Sequence, residues 1–226
     1  MKLSTIVPML NEEAAIASTL GALRAGGPDG EIIVVDDGSV DRSREIARPL
    51  CDLLIEAPRG RAMQMNAGAA RAGGEVLAFV HADTTVPRTF AADIETVLAD
   101  PRVVGGRFDL RLDDSHPLCV LIGALISLRS RFSRTATGDQ AIFVRHAIFQ
   151  TLGGFPDIPI CEDLEFARRL KRTGRIACLR SRVVTSARRW RKAGIIRTMV
   201  RMWMIRGAYL AGVPPSKLSR GYGDVR

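Results

Sequence analysis

Two apolar runs in this chain end in carboxylates. Ile32-Ile33-Val34-Val35 leads into Asp36-Asp37-Gly38-Ser39, and Val76-Leu77-Ala78-Phe79-Val80 leads into His81-Ala82-Asp83. Short continuous apolar runs read as strands buried on both faces, the pattern of a parallel sheet. Open α/β sheets bind their ligands at the carboxyl ends of such strands, so both acidic clusters mark one rim of the fold. A third segment, Pro8-Met9-Leu10-Asn11-Glu12, follows another short strand and joins that rim. Together they suggest a nucleotide pocket with a metal-binding lip.

Strand and helix signals alternate through the first hundred residues. Strands are expected at Leu3 to Val7, Glu31 to Val35, Leu53 to Glu56 and Val76 to Val80. Helices are expected at Glu12 to Leu23, capped by Asn11, then at Asp41 to Leu50 and Arg61 to Ala72. Such alternation builds βαβ units and a parallel sheet. Beyond Pro87 the pattern changes. A helix from Thr89 to Leu98 ends at Asp100-Pro101, and Val103 to Leu112 alternates as an extended strand with Phe108, Leu110 and Leu112 on one face. A helix from Leu118 to Phe132, a strand at Ala141 to Arg145, a helix from Glu162 to Thr173 and a short strand at Ile176 to Leu179 follow.

The 226 residues are 46% hydrophobic and 25% charged, enough for one full core and unlike a disordered or fibrous chain. One domain over residues 1–185 is expected, followed by a basic helical tail over residues 186–226. Cys51, Cys119, Cys161 and Cys178 are scattered without a Cys-x-x-Cys pair, which supports neither a disulfide framework nor a zinc knuckle. The few apolar residues before Asn11-Glu12-Glu13 are too short for a secretory signal. No apolar run reaches the ~18 residues of a spanning helix. A cytoplasmic protein, at most peripheral on the inner face of the membrane, is the expectation.

The net charge of +9 is unevenly placed, because basic residues crowd the stretch from Arg168 to Arg206. A basic surface there suits anionic lipid or a phosphorylated substrate. No helix-turn-helix, zinc finger or aromatic-rich RNA-binding signature accompanies it, so nucleic acid is not an expected partner. From Ile195 to Leu210 a helical wheel puts Ile195, Met199, Met202, Trp203, Tyr209 and Leu210 on one side and Arg197 and Arg201 on another. Arg206 breaks the pattern by falling on the apolar side. The segment reads either as an interfacial helix or as a helix docked on the catalytic domain or a second subunit.

Several of these segments, in this order and spacing, resemble the inverting family-2 glycosyltransferases of the GT-A fold. The resemblance covers residues 3 to 180 and rests on Asp36-Asp37-Gly38-Ser39-Val40-Asp41, Gly60-Arg61-Ala62-Met63-Gln64-Met65-Asn66-Ala67-Gly68, His81-Ala82-Asp83, Gly153-Gly154-Phe155 and Glu162-Asp163. The His-Ala-Asp lip and the segment Gly138-Asp139-Gln140-Ala141 are most similar to a bacterial group named selenodomain-associated transferases or arsenosugar-biosynthesis glycosyltransferases. The resemblance implies an α/β GT-A fold, with a mostly parallel central sheet flanked by helices. It also implies transfer of a sugar, with inversion, from a nucleoside diphosphate donor, UDP-linked, to a small-molecule or lipid-linked acceptor.

Site residues follow from that resemblance together with their chemistry. Asp37 accepts the imino hydrogen of uracil, with Pro8, Asn11, Glu12 and Ala82 completing the nucleotide side. Gly60 lets a diphosphate approach the backbone, and Arg61 adds a charged fork at a helix start. Asp83 is the candidate ligand for Mn²⁺ or Mg²⁺, which favour hard oxygen donors, and His81, where the family usually carries an acid, either joins it on the metal, hydrogen-bonds the phosphate or packs without a ligand role. Asn66 is expected to hold loop structure. Asp163, paired with Glu162 at a helix opening, is the candidate general base. Asp139 and Gln140 are expected on the acceptor side. Trp190, in the segment Arg188-Arg189-Trp190, either closes over the site on a flexible stretch or anchors the tail.

Two rival readings differ in what they require. A nucleotidyltransferase usually carries a glycine-rich, basic loop after its first strand, where this chain has the acidic Pro8-Met9-Leu10-Asn11-Glu12. A catalytically silent nucleotide-binding or membrane-docking protein has no need of both Asp83 and Asp163.

Overall fold

The computed structural model describes residues 1–219. Its strands are β1 (Leu3–Met9), β2 (Glu31–Asp36), β3 (Leu53–Glu56), β4 (Val76–Phe79), β5 (Thr84–Thr85), β6 (Val103–Leu112), β7 (Ile142–Arg145) and β8 (Arg175–Thr185). They form one sheet in the order β3-β2-β1-β4-β7-β6-β8-β5. The first four in that order are mutually parallel. β7 runs antiparallel to both β4 and β6, and β8 returns parallel to β6.

Side chains alternate along a strand, which explains why β2 and β4, covered on both faces, read as unbroken apolar runs. Val7, Met9, Ile32, Val34, Val76 and Ala78 face one way, against Ile16 and Leu20 of α1 (Ile16–Gly26) and Phe90 and Ile94 of α4 (Phe90–Leu98). Ile6, Ile33, Val35, Leu77 and Phe79 face the other way, against Met65 of α3 (Arg61–Ala69) and Phe166 and Leu170 of α7 (Glu162–Leu170). Helices cover both faces, so a polar residue in these strands needs a partner, as buried Ser4 of β1 finds in Glu31 and the Gly74 N–H. Gly68 explains how close α3 lies to the sheet: a Cβ there would stand 2.5 Å from Ile6 Cγ2.

The second face carries a cluster of four phenylalanines. Phe155 meets Phe79 edge-on at 4.8 Å and Phe166 at 4.4 Å, with Phe149 beside them. Gly153 and Gly154, both at φ 71°, make the left-handed turn that delivers Phe155 into this cluster, a conformation that costs glycine little. Asn66 Nδ2 donates to the Phe155 carbonyl at 2.8 Å and its Oδ1 accepts the Phe155 N–H at 2.9 Å. As expected, Asn66 holds a loop, and that loop leads into α7.

Several boundaries differ from the sequence reading for identifiable reasons. α1 starts at Ile16 rather than Glu12, and Asn11 is not its cap. Asn11 sits at φ 52°, its N–H donates to Ser39 Oγ, and its Oδ1 accepts from the Val40 N–H, so it ties the first rim loop to the second. The expected helix from Asp41 shortens to α2 (Ser43–Ala47) plus a 3₁₀ turn over Arg48–Leu50. β8 continues to Thr185 because its second half finds partners in Asp109 to Leu112 of β6 beyond a bulge. The two-residue β5 and the short α6 (His146–Thr151) carry too few residues to show a period.

α5 (Pro117–Ser133), α8 (Arg188–Ala193) and α9 (Ile195–Leu210) build a third, smaller core. Trp190, 6% exposed, packs there with Leu112, Cys119 and Ile122, while Ile195, Met199 and Met202 of α9 close over them. Arg188 to Trp190 is therefore a docked helix rather than a flexible stretch, and Trp190 anchors the tail. α10 (Pro215–Ser219) ends the described chain, and the rest of the tail expected over residues 186–226 lies outside the described residues.

Candidate active site

A cleft of about 480 Å³ opens at the carboxyl ends of β1, β2 and β4. Its walls bring together Pro8, Glu12, Asp37, Gly60, Arg61, His81, Ala82, Asp83, Asp139, Glu162, Asp163 and Trp190. A shallower hollow of about 570 Å³ beside β3, lined by Arg44, Arg48 and Arg71, contains none of them.

The turn after β2 divides its two aspartates. Asp36 is buried and accepts from the N–H groups of Gly38 and Ser39, so it serves the turn itself. Asp37 faces the cleft, and its Oδ2 accepts the Gly60 N–H at 3.3 Å, joining the second rim loop to the start of α3. Beneath this junction Gln64 is buried and donates through Nε2 to the carbonyls of Met9 and Val35 at 2.9 and 2.8 Å. It stitches β1 to β2 below the rim. Nothing in the sequence distinguished Gln64 from an exposed helical glutamine.

Two sequence assignments do not reach the cleft. Asn11 is committed to the loop contacts described above. Gln140 is fully buried, its Nε2 donating to Ser130 Oγ and the Phe108 carbonyl. The 3₁₀ turn Gly138–Gln140 sends Asp139 outward and Gln140 into the core, so only Asp139 is available to a ligand. Glu12 does line the cleft, yet both its carboxyl oxygens accept from Arg188 Nη2, at 2.7 and 2.9 Å. That fork pins α8 to the first rim loop.

The lip after β4 places His81 and Asp83 differently. His81 Nδ1 lies 3.1 Å from Asp139 Oδ1. Its Nε2 is buried without a hydrogen-bond partner among the described residues and is enclosed against Gly138, where a Cβ would stand 2.6 Å away. His81 can turn to a metal only by giving up Asp139. Among the described residues no three His, Cys, Asp or Glu side chains form a ready-made cation site. Asp83 offers the cleft one hard carboxylate, a donor set that suits a small divalent cation sharing its remaining positions with substrate phosphates and water. Desolvation opposes the charge on Asp139, but the hydrogen bond with His81 and the nearby Arg61 and Arg189 hold its carboxyl well below the usual range.

At the far end α7 presents Glu162 and Asp163 behind Cys161, which enters the helix at φ 66°. Glu162 is buried, with Arg61 Nη1 3.6 Å from its Oε1. Burial and then the charge of Asp163 push its carboxyl up. Asp163 is held by two backbone donors: its Oδ2 accepts the Gly138 N–H and its Oδ1 the Leu164 N–H, both at 2.6 Å. Burial and these two carboxylates push the neighbouring Cys161 thiol up to about 12, so it stays a protonated, unreactive group. Arg129 and Arg206, which the sequence did not mark as site residues, complete this end of the cleft.

Comparison with known proteins bears on the family and the fold. The sequence model described as glycosyl transferase family 2 matches residues 4–149. The chain is 35% identical over 124 residues to an uncharacterized glycosyltransferase, alr2836, of Nostoc sp., covering 51% of this chain and 38% of that protein. It is 26% identical over 198 residues to the probable glycosyltransferase YdaM of Bacillus subtilis, covering 76% and 47%. It thus spans less than half the length of either relative. Among solved structures, mannosyltransferase PcManGT from Pyrobaculum calidifontis, in complex with GDP-Man and Mn²⁺, superposes with a TM-score of 0.67 at 24% identity, covering 91% of this chain and 60% of that one. S. aureus TarS 1-349 in complex with UDP-GlcNAc gives 0.67 at 20%, covering 82% and 58%. At such identities these likenesses speak for the fold alone.

Proposed function

Because the chain belongs to glycosyl transferase family 2 and has the GT-A fold, we propose that it moves a sugar from UDP to an acceptor with inversion at the anomeric carbon. The observation that carries this reading is the order of three carboxylates along one cleft. Asp37 stands at the β2 rim, Asp83 at the β4 lip and Asp163 at the opening of α7. A nucleoside diphosphate sugar laid along that line puts its base on Asp37, its phosphates by Gly60, Arg61 and Asp83, and its anomeric carbon toward Asp163. Pro8 and Ala82 complete the nucleotide wall, and Asp139 and Trp190 the acceptor wall.

The metal-bearing PcManGT supports a divalent cation here as well. Asp83 would hold it, and when bound the cation would offset the charge of the leaving diphosphate. Arg61 orients the phosphates, which Gly60 lets approach the backbone closely, while Asp163 takes the acceptor's proton. His81 fixes Asp139. We place the chain with the selenodomain-associated or arsenosugar-biosynthesis group, a finer assignment that rests on His81-Ala82-Asp83 and Gly138-Asp139-Gln140-Ala141. Residues 1–185 would form the catalytic domain and residues 186–226 its basic tail.

A thermal-shift panel of UDP-, GDP- and dTDP-sugars, each with and without Mn²⁺, tests the donor. A ligand bound only by the native state raises the unfolding midpoint as its concentration exceeds its dissociation constant. UDP-sugars are expected to give the largest rise, and a larger one with Mn²⁺. A greater rise with GDP- or dTDP-sugars would change the donor, and no rise with any of them would remove the reading.

We also propose that an anionic membrane surface receives the face formed by α5 and α9. Among the described residues no helix is long and apolar enough to cross a membrane. One stripe of α9 is used inward, by Ile195, Met199 and Met202, and Tyr209 donates its hydroxyl to Glu165. A second stripe is left outside, with Trp203 58% and Met204 62% exposed, alongside Leu121, Leu128 and Phe132 of α5. Neither Pro117 to Arg134 nor Arg188 to Ser219 contains an acid, so the face repels a second copy of itself and attracts anionic lipid. Phosphatidylglycerol vesicles are expected to float the protein at low salt and release it at high salt, where the attraction is screened. Protein that stays at the bottom of the gradient at low salt would exclude this docking.

A further inference from the structure

Arg206 lies on the apolar side of α9, where an arginine has no evident place. The structure turns it into the cleft, where its Nη2 donates to buried Thr135 Oγ1 at 2.9 Å. Arg129 of α5 enters the same wall, and its Nε and Nη2 are buried with no hydrogen-bond partner among the described residues. A guanidinium carries five N–H donors and no acceptor, and buried charged donors are ordinarily paired. The nearby carboxylates of Asp163 and Asp139 act on Arg129 through their charge but form no hydrogen bond with these two nitrogens. Asp163 accepts from Gly138 and Leu164, and Asp139 is bound to His81. Burial, and then the like charge of Arg206, pull Arg129 down to about 10, so it remains a cation at neutral pH. Two guanidinium groups thus share a desolvated wall, and one has hydrogen-bonding capacity to spare.

From this geometry we infer that Arg129 and Arg206 form an oxyanion subsite at the acceptor end of the cleft, so that the acceptor carries a phosphate or carboxylate group close to its nucleophile. The inference rests on the glycosyltransferase reading of the cleft and adds the chemical class of the acceptor. The pair belongs to the acceptor and not to the donor diphosphate because of its neighbours: the carboxylate of Asp163 acts on Arg206, and those of Asp163 and Asp139 on Arg129, at the base's end. The donor end has its own phosphate-binding residues in Gly60 and Arg61. Forked guanidinium groups match the paired oxygens of either anion. Bound there, the acceptor would offset both positive charges while its nucleophile lies near Asp163.

The test titrates inorganic phosphate and, separately, acetate by calorimetry into the full chain saturated with UDP and Mg²⁺, which occupies the donor end. Wild type is expected to bind at least one of these anions, and whichever binds more tightly assigns the class. Arg129→Met and Arg206→Met should each weaken that binding by about tenfold or more, the scale of losing a charge-assisted hydrogen bond. Arg206→Lys should fall between, keeping the charge without the fork. UDP affinity, measured first, should change by less than about threefold, well inside one decade of affinity. If Arg129→Met does not fold by circular dichroism, the Arg206 variants decide alone. Anion binding equal in wild type and folded variants would overturn the subsite, as would no binding of either anion to wild type. A matching loss of UDP affinity would also overturn it, by assigning the arginines to the donor. If UDP fails to bind wild type, the donor reading falls, and the same titration on the unloaded chain still decides the arginine pair.

Discussion

Asp163→Asn is expected to lower sugar transfer by roughly 10² to 10⁴, the usual contribution of a positioned general base, while UDP affinity stays within about twofold. The separation follows from where Asp163 sits. It opens α7 at the end of the cleft away from Asp37, and its carboxyl oxygens accept the Gly138 and Leu164 N–H groups at 2.6 Å each. Each oxygen keeps a further lone pair, so the carboxylate is both oriented and open to the acceptor's proton. Glu162 is the weaker candidate. It is buried against Arg61, and burial together with Asp163 already pushes its carboxyl up. Two adjacent carboxyl groups in different surroundings divide their roles in this way. Asparagine keeps one acceptor oxygen for the backbone but cannot take a proton, so turnover should fall where binding does not. Release of UDP from the sugar donor can be followed in place of transfer until an acceptor is found. A rate equal to wild type, in a variant folded by circular dichroism, would remove Asp163 and point to Glu162 or Asp139.

The sheet and most of the rim were legible because the physics that sets them is local. A strand covered on both faces is apolar along most of its length, and a carboxylate closing such a run lies at the strand's end, on the rim of the sheet. Side-chain direction within a turn is not local in that sense. Asp36 and Asp37 are neighbours of identical chemistry, yet one caps its own turn and the other faces the cleft. Asp139 and Gln140 divide the same way. Gln140 was read toward the acceptor, but Ser130 and Phe108, distant in sequence, draw it into the core. Arg206 was visible only as a defect in an amphipathic stripe, and the defect became intelligible once α9 was seen to pass the cleft. Arg129 left no mark, since an arginine in the last turns of a helix is ordinary. The family was also legible in its ordered motifs.

Asp83→Ala should abolish the dependence of UDP binding on metal while leaving the metal-free affinity almost untouched. The lip offers a cation one carboxylate, because His81 is committed to Asp139 and no three ligand side chains converge among the described residues. A site of that kind is completed by the substrate's own phosphates, so metal and nucleotide should bind together. Opposite unit charges 4 Å apart attract by about 4 kcal/mol at an effective dielectric of 20. Desolvation offsets much of this, and a net of about 1.5–3 kcal/mol, typical of interactions with charged groups, corresponds to a ten- to hundredfold change in affinity. Calorimetric titration of UDP into wild type should therefore be at least about tenfold tighter with Mn²⁺ than with EDTA, and the two titrations should coincide for Asp83→Ala. Asp37→Asn supplies the contrast. It faces the nucleotide side rather than the lip, and should weaken UDP by a similar factor whether or not metal is present. If Asp83→Ala kept its full response to Mn²⁺, the cation would have to sit elsewhere in the cleft, and the release of His81 from Asp139 would become the next arrangement to test.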